Sequence, residues 1–128
     1  NIYQNVELPM IYNNKYSKEE RKERIEKNLE LVGLLDKTKQ RPLQLSGGQQ
    51  QRIAIARALV NDPQIIFADE PTGNLDSKNS KEIVELLKVS VKKYNQTLIM
   101  ITHDTNIALQ ADRVITIEDG IIKSDEVI

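Results

Sequence analysis

Two short apolar runs on either side of one long amphipathic stretch constrain the fold of this chain most. Residues 65–68 are a continuous apolar run, and residues 97–101 are a second run in which only Thr97 is polar. Such runs are typical of strands covered on both faces. Between them, residues 77–94 place Ile83 and Leu87 on one face at helical spacing. A strand, a helix and a second strand in this order predict a right-handed βαβ unit with parallel strands.

The end of the chain continues the same alternation. Residues 106–111 predict a short helix, and residues 113–117 predict a third strand. Asp119-Gly120 is a hairpin turn signal that leads into Ile121. We therefore expect an α/β fold in which three strands belong to one parallel sheet and a hairpin follows.

The first part of the chain holds helix and loop signals without a strand pattern. Residues 1–16 predict a loop with at most one helical turn, because Pro9 and a pair of asparagines interrupt short apolar pieces. Ser17 begins a capping box, and the helix after it places Ile25 and Leu29 on one face.

A second capping box, formed by Ser46 and Gln49, begins another predicted helix, which ends at Asp62-Pro63. The chain therefore divides into a helical zone, residues 1–61, and an α/β zone, residues 62–128.

Charge and composition exclude several classes of function. The 128 residues include 18 Lys and Arg against 19 Asp and Glu, and the net charge of −1 argues against a free-standing nucleic-acid binder. The chain has no Cys and one His, so cysteine-ligated zinc, thiol catalysis and multi-histidine metal sites are excluded. It has no run of about 18 apolar residues, so no spanning helix is expected.

The first candidate site is the sequence Leu-Ser-Gly-Gly-Gln at residues 45–49. Gly47 and Gly48 leave backbone N–H groups open at a helix N-terminus, whose partial positive charge suits a phosphate. Ser46 adds a hydroxyl donor. By itself, such a turn is more often an ordinary helix cap.

Two carboxylates follow the first predicted strand. Asp69 and Glu70 stand where a parallel strand ends, and side chains at that edge enter the ligand crevice. The Asp69 carboxylate suits a Mg²⁺ shell, and Glu70 can accept a proton from an attacking water. The alternative is that both residues merely begin a surface loop.

Asp76 and His103 are the remaining candidates. Asp76 ends the next loop and is expected to cap the helix that follows. A lone histidine is more often structural than catalytic. His103 follows the second strand, however, which places it at the same sheet edge as Glu70.

Together these motifs closely resemble the ATP-binding cassette (ABC) ATPases, over essentially the whole chain. In that family, residues 45–49 are the signature motif, which we call the signature turn, and Asp69-Glu70 are the Walker B pair. Residues 74–76 are the D-loop, and His103 is the switch histidine. The resemblance implies an α/β P-loop NTPase (RecA-like) fold, in which a helical subdomain precedes the second half of the parallel sheet.

The resemblance also implies ATP and Mg²⁺ as cofactors, and a role for each residue. Glu70 would activate the attacking water, His103 would contact the γ-phosphate, and Asp69 would hold Mg²⁺ through water. The residues that would close onto ATP bound to the opposite subunit of a head-to-tail dimer are Ser46, Gly47, Gly48 and Gln49, with Asp76 from the D-loop.

None of the five glycines belongs to a G-x-x-x-x-G-K-[ST] phosphate loop. We therefore expect the C-terminal portion of a cassette, with the first half of the core missing. Its parts would be the helical subdomain, residues 1–61, and the second half of the RecA-like core, residues 62–128. Such a portion should not hydrolyse ATP alone. Its incomplete sheet should expose apolar edges, which favours a dimer or a marginal fold.

Residues 70–77 and 113–125 are similar to the lipoprotein-releasing, macrolide-export and antimicrobial-peptide-export branch of the family. This similarity implies a cytoplasmic protein, peripheral at the cytoplasmic face of the cell membrane, that docks on a membrane permease through residues 5–44. It would couple ATP hydrolysis to export or extraction, without a nucleic-acid partner.

Two alternatives remain open at this point. A chromosome-maintenance or DNA-repair ABC-type ATPase shares the signature and Walker B motifs, but it inserts long coiled coils, and the helical zone has no sustained heptads. A non-hydrolytic regulatory half-cassette fits the absent phosphate loop, although Glu70 and His103 are both in place.

Overall fold

The computed structural model describes all of residues 1–128 and contains five α-helices and two two-stranded sheets. Its elements in chain order are α1 (Ile2–Asn13), α2 (Lys18–Leu31), α3 (Gly47–Leu59), β1 (Ile65–Asp69), α4 (Ser77–Lys93), β2 (Thr97–Ile101), α5 (Thr105–Ala108), β3 (Arg113–Glu118) and β4 (Ile121–Val127). None of the helices combines the length and the apolar character that crossing a bilayer requires.

The first helix corrects the sequence prediction, because most of the predicted loop at residues 1–16 forms the 12-residue helix α1. Ile2, Val6 and Met10 repeat every four residues and are fully buried. Burying three such side chains stabilises the helix by roughly 5–9 kcal/mol. This gain exceeds the roughly 3 kcal/mol that a proline costs inside a helix, so Pro9 is tolerated.

The two capped helices of the helical zone begin where the sequence predicts. The Ser17 hydroxyl oxygen accepts a hydrogen bond from the backbone N–H three residues later at 3.2 Å. Ser46 and Gln49 form the reciprocal capping box of α3. Ile25 and Leu29 are fully buried, as their spacing on α2 predicts.

Two arginines join α2 and α3 at opposite ends. Arg24 of α2 donates to the Val60 carbonyl at the end of α3 at 3.3 Å. Arg52 of α3 donates to the Val32 carbonyl at the end of α2 at 3.2 Å. Both contacts place a cation at a helix C-terminus, where it is favoured. Because Arg52 also binds Glu82 of α4 at 3.1 Å, it links the two zones.

β1 and β2 pair in parallel over five residue pairs, which confirms the predicted pairing. Successive side chains of a strand point to opposite faces, and here the helices cover only one of them. Ile66 is buried on the covered side, whereas Phe67 is 74% exposed and Ile101 is 57% exposed. The prediction of strands covered on both faces is therefore wrong for these residues.

The third predicted strand does not join this sheet, which is a second correction. β3 pairs with β4 in an antiparallel hairpin instead. Asp119 and Gly120 have φ of 52° and 74°, as a two-residue primed turn requires, so the predicted hairpin turn is confirmed. A two-residue turn gives β3 a partner at once, whereas parallel pairing needs a long crossover connection.

One hydrophobic core joins the two zones. It is built mainly from α1, α2 and α3, and the α/β zone adds Ile66, Ile83 and Leu87. No residue after Ser90 is buried. The second strand, α5 and the hairpin therefore lie outside the fully buried core.

Candidate functional site

Glu70 and His103 meet at the carboxyl end of the parallel sheet. Because β1 and β2 are neighbours and parallel, the residues after them leave the sheet at the same edge. The Glu70 backbone N–H donates to the Ile101 carbonyl at 2.9 Å, and Glu70 Oε1 lies 2.7 Å from His103 Nδ1. The histidine side chain is 88% exposed and the glutamate side chain 38% exposed. The pair is therefore accessible to a ligand.

The backbone at Glu70 lies in the left-handed region, with φ of 48°. A non-glycine residue there costs about 1–2 kcal/mol, and such strain clusters at functional sites. The Gly73 N–H closes the turn by donating to the Glu70 carbonyl at 3.1 Å. This bend takes the chain off the strand immediately and leaves the Glu70 carboxylate beside His103.

Asp69 is the last residue of β1 and is exposed. Its carboxylate takes part in no ion pair. No group of three or more His, Asp or Glu side chains converges into a metal cage. A free carboxylate fits Mg²⁺, which is held by one or two protein carboxylates and completes its shell with phosphate oxygens and water.

The signature turn forms the capped start of α3. The Ser46 Oγ accepts from the Gln49 N–H at 3.2 Å, and the Gln49 Oε1 accepts from the Ser46 N–H at 3.1 Å. This cap occupies the third N–H of the helix and leaves those of Gly47 and Gly48 open in the sense that they have no hydrogen-bond partner within the chain. Two open N–H groups at the positive end of a helix suit an anion. The Ser46 hydroxyl hydrogen remains available as a further donor.

The signature turn rests on the D-loop and the first turn of α4 in the same chain. A Cβ at Gly47 would lie 3.6 Å from Leu75 Cδ2, and a Cβ at Gly48 would lie 2.9 Å from Asn79 Oδ1. Asp76 caps α4 by accepting from the Asn79 N–H at 2.8 Å, which confirms that expectation. Asn79 is the contact that sequence reasoning missed, and no local pattern marks it.

The structure thus brings the predicted site residues together in two groups. The first comprises Glu70 and His103 at the sheet edge, with Asp69 preceding them. The second comprises residues 46–49 resting on the loop that ends at Asp76. No ion pair joins the two groups.

Comparison with known proteins agrees with this motif pattern. The family model described as ABC transporter matches residues 2–73. The ABC transporter ATP-binding protein YvrO of Bacillus subtilis is 54% identical over 123 residues, which are 96% of this chain and 53% of YvrO. The macrolide export ATP-binding/permease protein MacB of Chlorobaculum tepidum is 54% identical over 121 residues, 94% of this chain and 18% of MacB. This chain therefore spans about half of YvrO and about a fifth of MacB.

Solved structures agree on the fold. The dimeric structure of MJ0796, a bacterial ABC transporter cassette, matches with a TM-score of 0.81 and 45% identity, over 98% of this chain and 56% of that one. MJ0796 in a post-hydrolysis state bound to ADP and Pi matches over the same shares with a TM-score of 0.82 and 43% identity. These matches confirm the α/β P-loop NTPase fold. The chain belongs to the ABC transporter family and corresponds to part of its ATP-binding cassette.

Proposed function

We propose that this chain carries the hydrolytic and signature motifs of an ABC transporter ATPase. The observation that carries the proposal is the 2.7 Å contact between Glu70 Oε1 and His103 Nδ1 at the carboxyl end of a parallel sheet. A carboxylate at that edge can deprotonate the water that attacks a γ-phosphate, provided that the reacting groups are well positioned. The similarity to a cassette bound to ADP and Pi supports this role.

The contact between Glu70 and His103 gives the two side chains different roles. An ionised Glu70 only accepts hydrogen bonds, so the shared proton belongs to His103 Nδ1. The second ring nitrogen, Nε2, can donate to a phosphate oxygen when it also carries a proton, and the second carboxylate oxygen, Oε2, is free to accept a proton from water. Mg²⁺, when bound, supplies positive charge to the phosphate oxygens, and Asp69 is the residue that would hold it.

The signature turn would act on ATP that a second copy of the protein holds. Its two N–H groups without a partner suit an anion. The solved MJ0796 cassette is dimeric. In a head-to-tail dimer, each ATP would meet Glu70 and His103 of one copy and residues 46–49 of the other. Asp76 would lie at the interface between the two copies.

Turnover would also need a phosphate loop, and residues 1–128 contain no G-x-x-x-x-G-K-[ST] sequence. The helical zone, residues 1–61, would act as the signature-bearing subdomain, and residues 62–128 would act as the second half of the ATPase core. Without a phosphate loop to cradle ATP, these 128 residues alone should not hydrolyse it.

The outer face of α1 supports a membrane partner. Leu8, Ile11 and Tyr12 are 44%, 52% and 82% exposed, and their spacing places them side by side on the helix. A contiguous exposed apolar patch is typical of an interaction surface. The relative MacB is itself an ATP-binding/permease protein. Residues 5–44 would therefore dock on a permease at the cytoplasmic face of the membrane, which would couple ATP hydrolysis to export or extraction.

Phosphate release by the product of the complete reading frame tests the proposal. The wild-type protein should hydrolyse ATP with Mg²⁺. Glu70→Gln should lower kcat at least about 100-fold, because a general base contributes 10²–10⁴-fold, while ATP binding persists. Glu126→Gln changes an exposed glutamate on β4 in the same way and should leave turnover unchanged. A Glu70→Gln variant with normal turnover would contradict the proposal.

A further inference from the structure

The signature turn and the first turn of α4 meet through one polar side chain. Gly48 is buried, and a Cβ at this position would lie 2.9 Å from Asn79 Oδ1 and 3.1 Å from Asn79 Cγ. A real Cβ does not approach other atoms so closely. A side chain at this position would therefore displace the Asn79 side chain on α4, and the backbone at Gly48 is not left-handed.

Asn79 is in turn fixed to the D-loop. Its backbone N–H donates to Asp76 Oδ1 at 2.8 Å. The Ser80 hydroxyl donates to the Leu75 carbonyl at 3.4 Å, and the Leu75 N–H donates to the Thr72 carbonyl at 3.1 Å. The D-loop and the start of α4 thus form one hydrogen-bonded unit, and Asn79 is the part of it that faces Gly48.

Resting on the proposed function, we propose that Asn79 is a positioning residue that sets the separation between the signature turn and the D-loop. It contacts Gly48, whose N–H is one of the two open donors, and it is held by Asp76. A displacement of the D-loop is therefore transmitted to these donors by direct contact. The N–H groups of Gly47 and Gly48 would reach the γ-phosphate on the opposite copy only when Asp76 lies at the interface between the two copies.

Rescue of one substitution by another tests this contact in the product of the complete reading frame. Gly48→Ala adds the methyl group that meets Asn79 and should lower kcat about 10-fold or more, because small misplacements in a site have large effects on rate. Asn79→Ala should lower kcat less and leave KM for ATP unchanged. Gly48→Ala combined with Asn79→Ala should recover to the kcat of Asn79→Ala alone, since the two changes act on one contact.

Lys78→Ala is the matched control, because Lys78 precedes Asn79 on α4 and is exposed. It should neither change kcat nor rescue Gly48→Ala. Measuring the amount of ATP bound per protein in the same samples gives the folded fraction, so that a loss of folded protein is not mistaken for a loss of kcat. If wild-type turnover depends on Glu70 but the double variant is no faster than Gly48→Ala, the role of Asn79 is wrong and the proposed function stands. If turnover does not depend on Glu70, both are wrong.

Discussion

The helical zone covers its apolar side chains, whereas the α/β zone leaves many of them open. Ile25 and Leu29 of α2 are fully buried, while Phe67 of β1 is 74% exposed and Ile117 of β3 is 66% exposed. A helix has only one apolar stripe that must be covered, and α1, α2 and α3 cover these stripes for one another. A parallel sheet needs cover on both faces, and here the helices provide cover on one.

The difference matters for the site, because its two groups lie in differently packed surroundings. The signature turn begins α3, which contributes Ile53, Ala56 and Leu59 to the core. Glu70 and His103 lie at the end of the sheet whose outer face is open. Stability therefore depends mostly on the helical zone, whereas the proposed chemistry would depend on both zones.

Removing one isoleucine from each zone should give the largest difference in stability. Ile25→Ala should lower the free energy of unfolding by about 2–5 kcal/mol, because it leaves a cavity in the core. Ile101 is 57% exposed, so Ile101→Ala should cost less than about 1 kcal/mol. Urea unfolding of the two variants of the 128-residue chain measures both values. Equal losses would show that the zones are not packed differently.

Substituting Arg52, which lies where the two zones meet, should lower the free energy of unfolding by a smaller amount. Arg52→Ala removes the bonds to the Val32 carbonyl and to Glu82 and should cost about 1–2 kcal/mol, as expected for partly exposed bonds to a charged group. Lys81→Ala removes an exposed cation of α4 and is the control. An Arg52→Ala variant as stable as the control would mean that this arginine does not hold the zones together.

Relieving the backbone strain at Glu70 should raise the free energy of unfolding, whereas the substitutions above lower it. Because its φ is 48°, Glu70→Gly should raise the free energy of unfolding by about 0.5–1 kcal/mol, while turnover is lost. Asn95→Gly changes a residue with a similar φ of 52° away from the site and should leave turnover intact. Thermal unfolding and phosphate release compare the pair. A destabilised Glu70→Gly variant would contradict the interpretation of strain retained for function.

The smallest effect is expected in the exposed hairpin. Arg113 donates to both oxygens of Asp125 at 2.8 and 2.6 Å, and these hydrogen bonds hold the pKa of Asp125 below its usual range. A carboxyl whose pKa is lower in the folded state stabilises the fold above its unfolded pKa, and loses that effect as the pH falls through the folded pKa. The stability difference between wild type and Asp125→Asn should therefore be small near neutral pH and vanish in acid. A difference that grows on acidification would contradict this sign.

Features set by neighbouring residues could be predicted from the sequence. The Ser46 cap depends on a side chain three residues away, and the turn at Asp119-Gly120 depends on two residues that accept left-handed conformations. The meeting of Glu70 with His103 follows from one further rule, that parallel strands end at the same edge of a sheet.

Features set by packing could not be predicted in this way. Pro9 suggests a loop, and only the burial of Ile2, Val6 and Met10 against other helices outweighs it. The pairing of β3 depends on competition between a close partner and a distant one. The contact of Asn79 with Gly48 arises where α3 crosses α4, and these residues are too far apart in sequence for a local pattern.

Pairing two inactive variants tests whether each ATP is held between the signature turn of one copy and Glu70 of the other. Gly48→Asp and Glu70→Gln copies of the complete reading frame would be co-expressed in equal amounts. With random pairing, half of the dimers are mixed and each mixed dimer has one unaltered site, so about a quarter of wild-type turnover should return. If the mixture is as inactive as either variant alone, the signature turn and Glu70 do not act on the same ATP across the dimer.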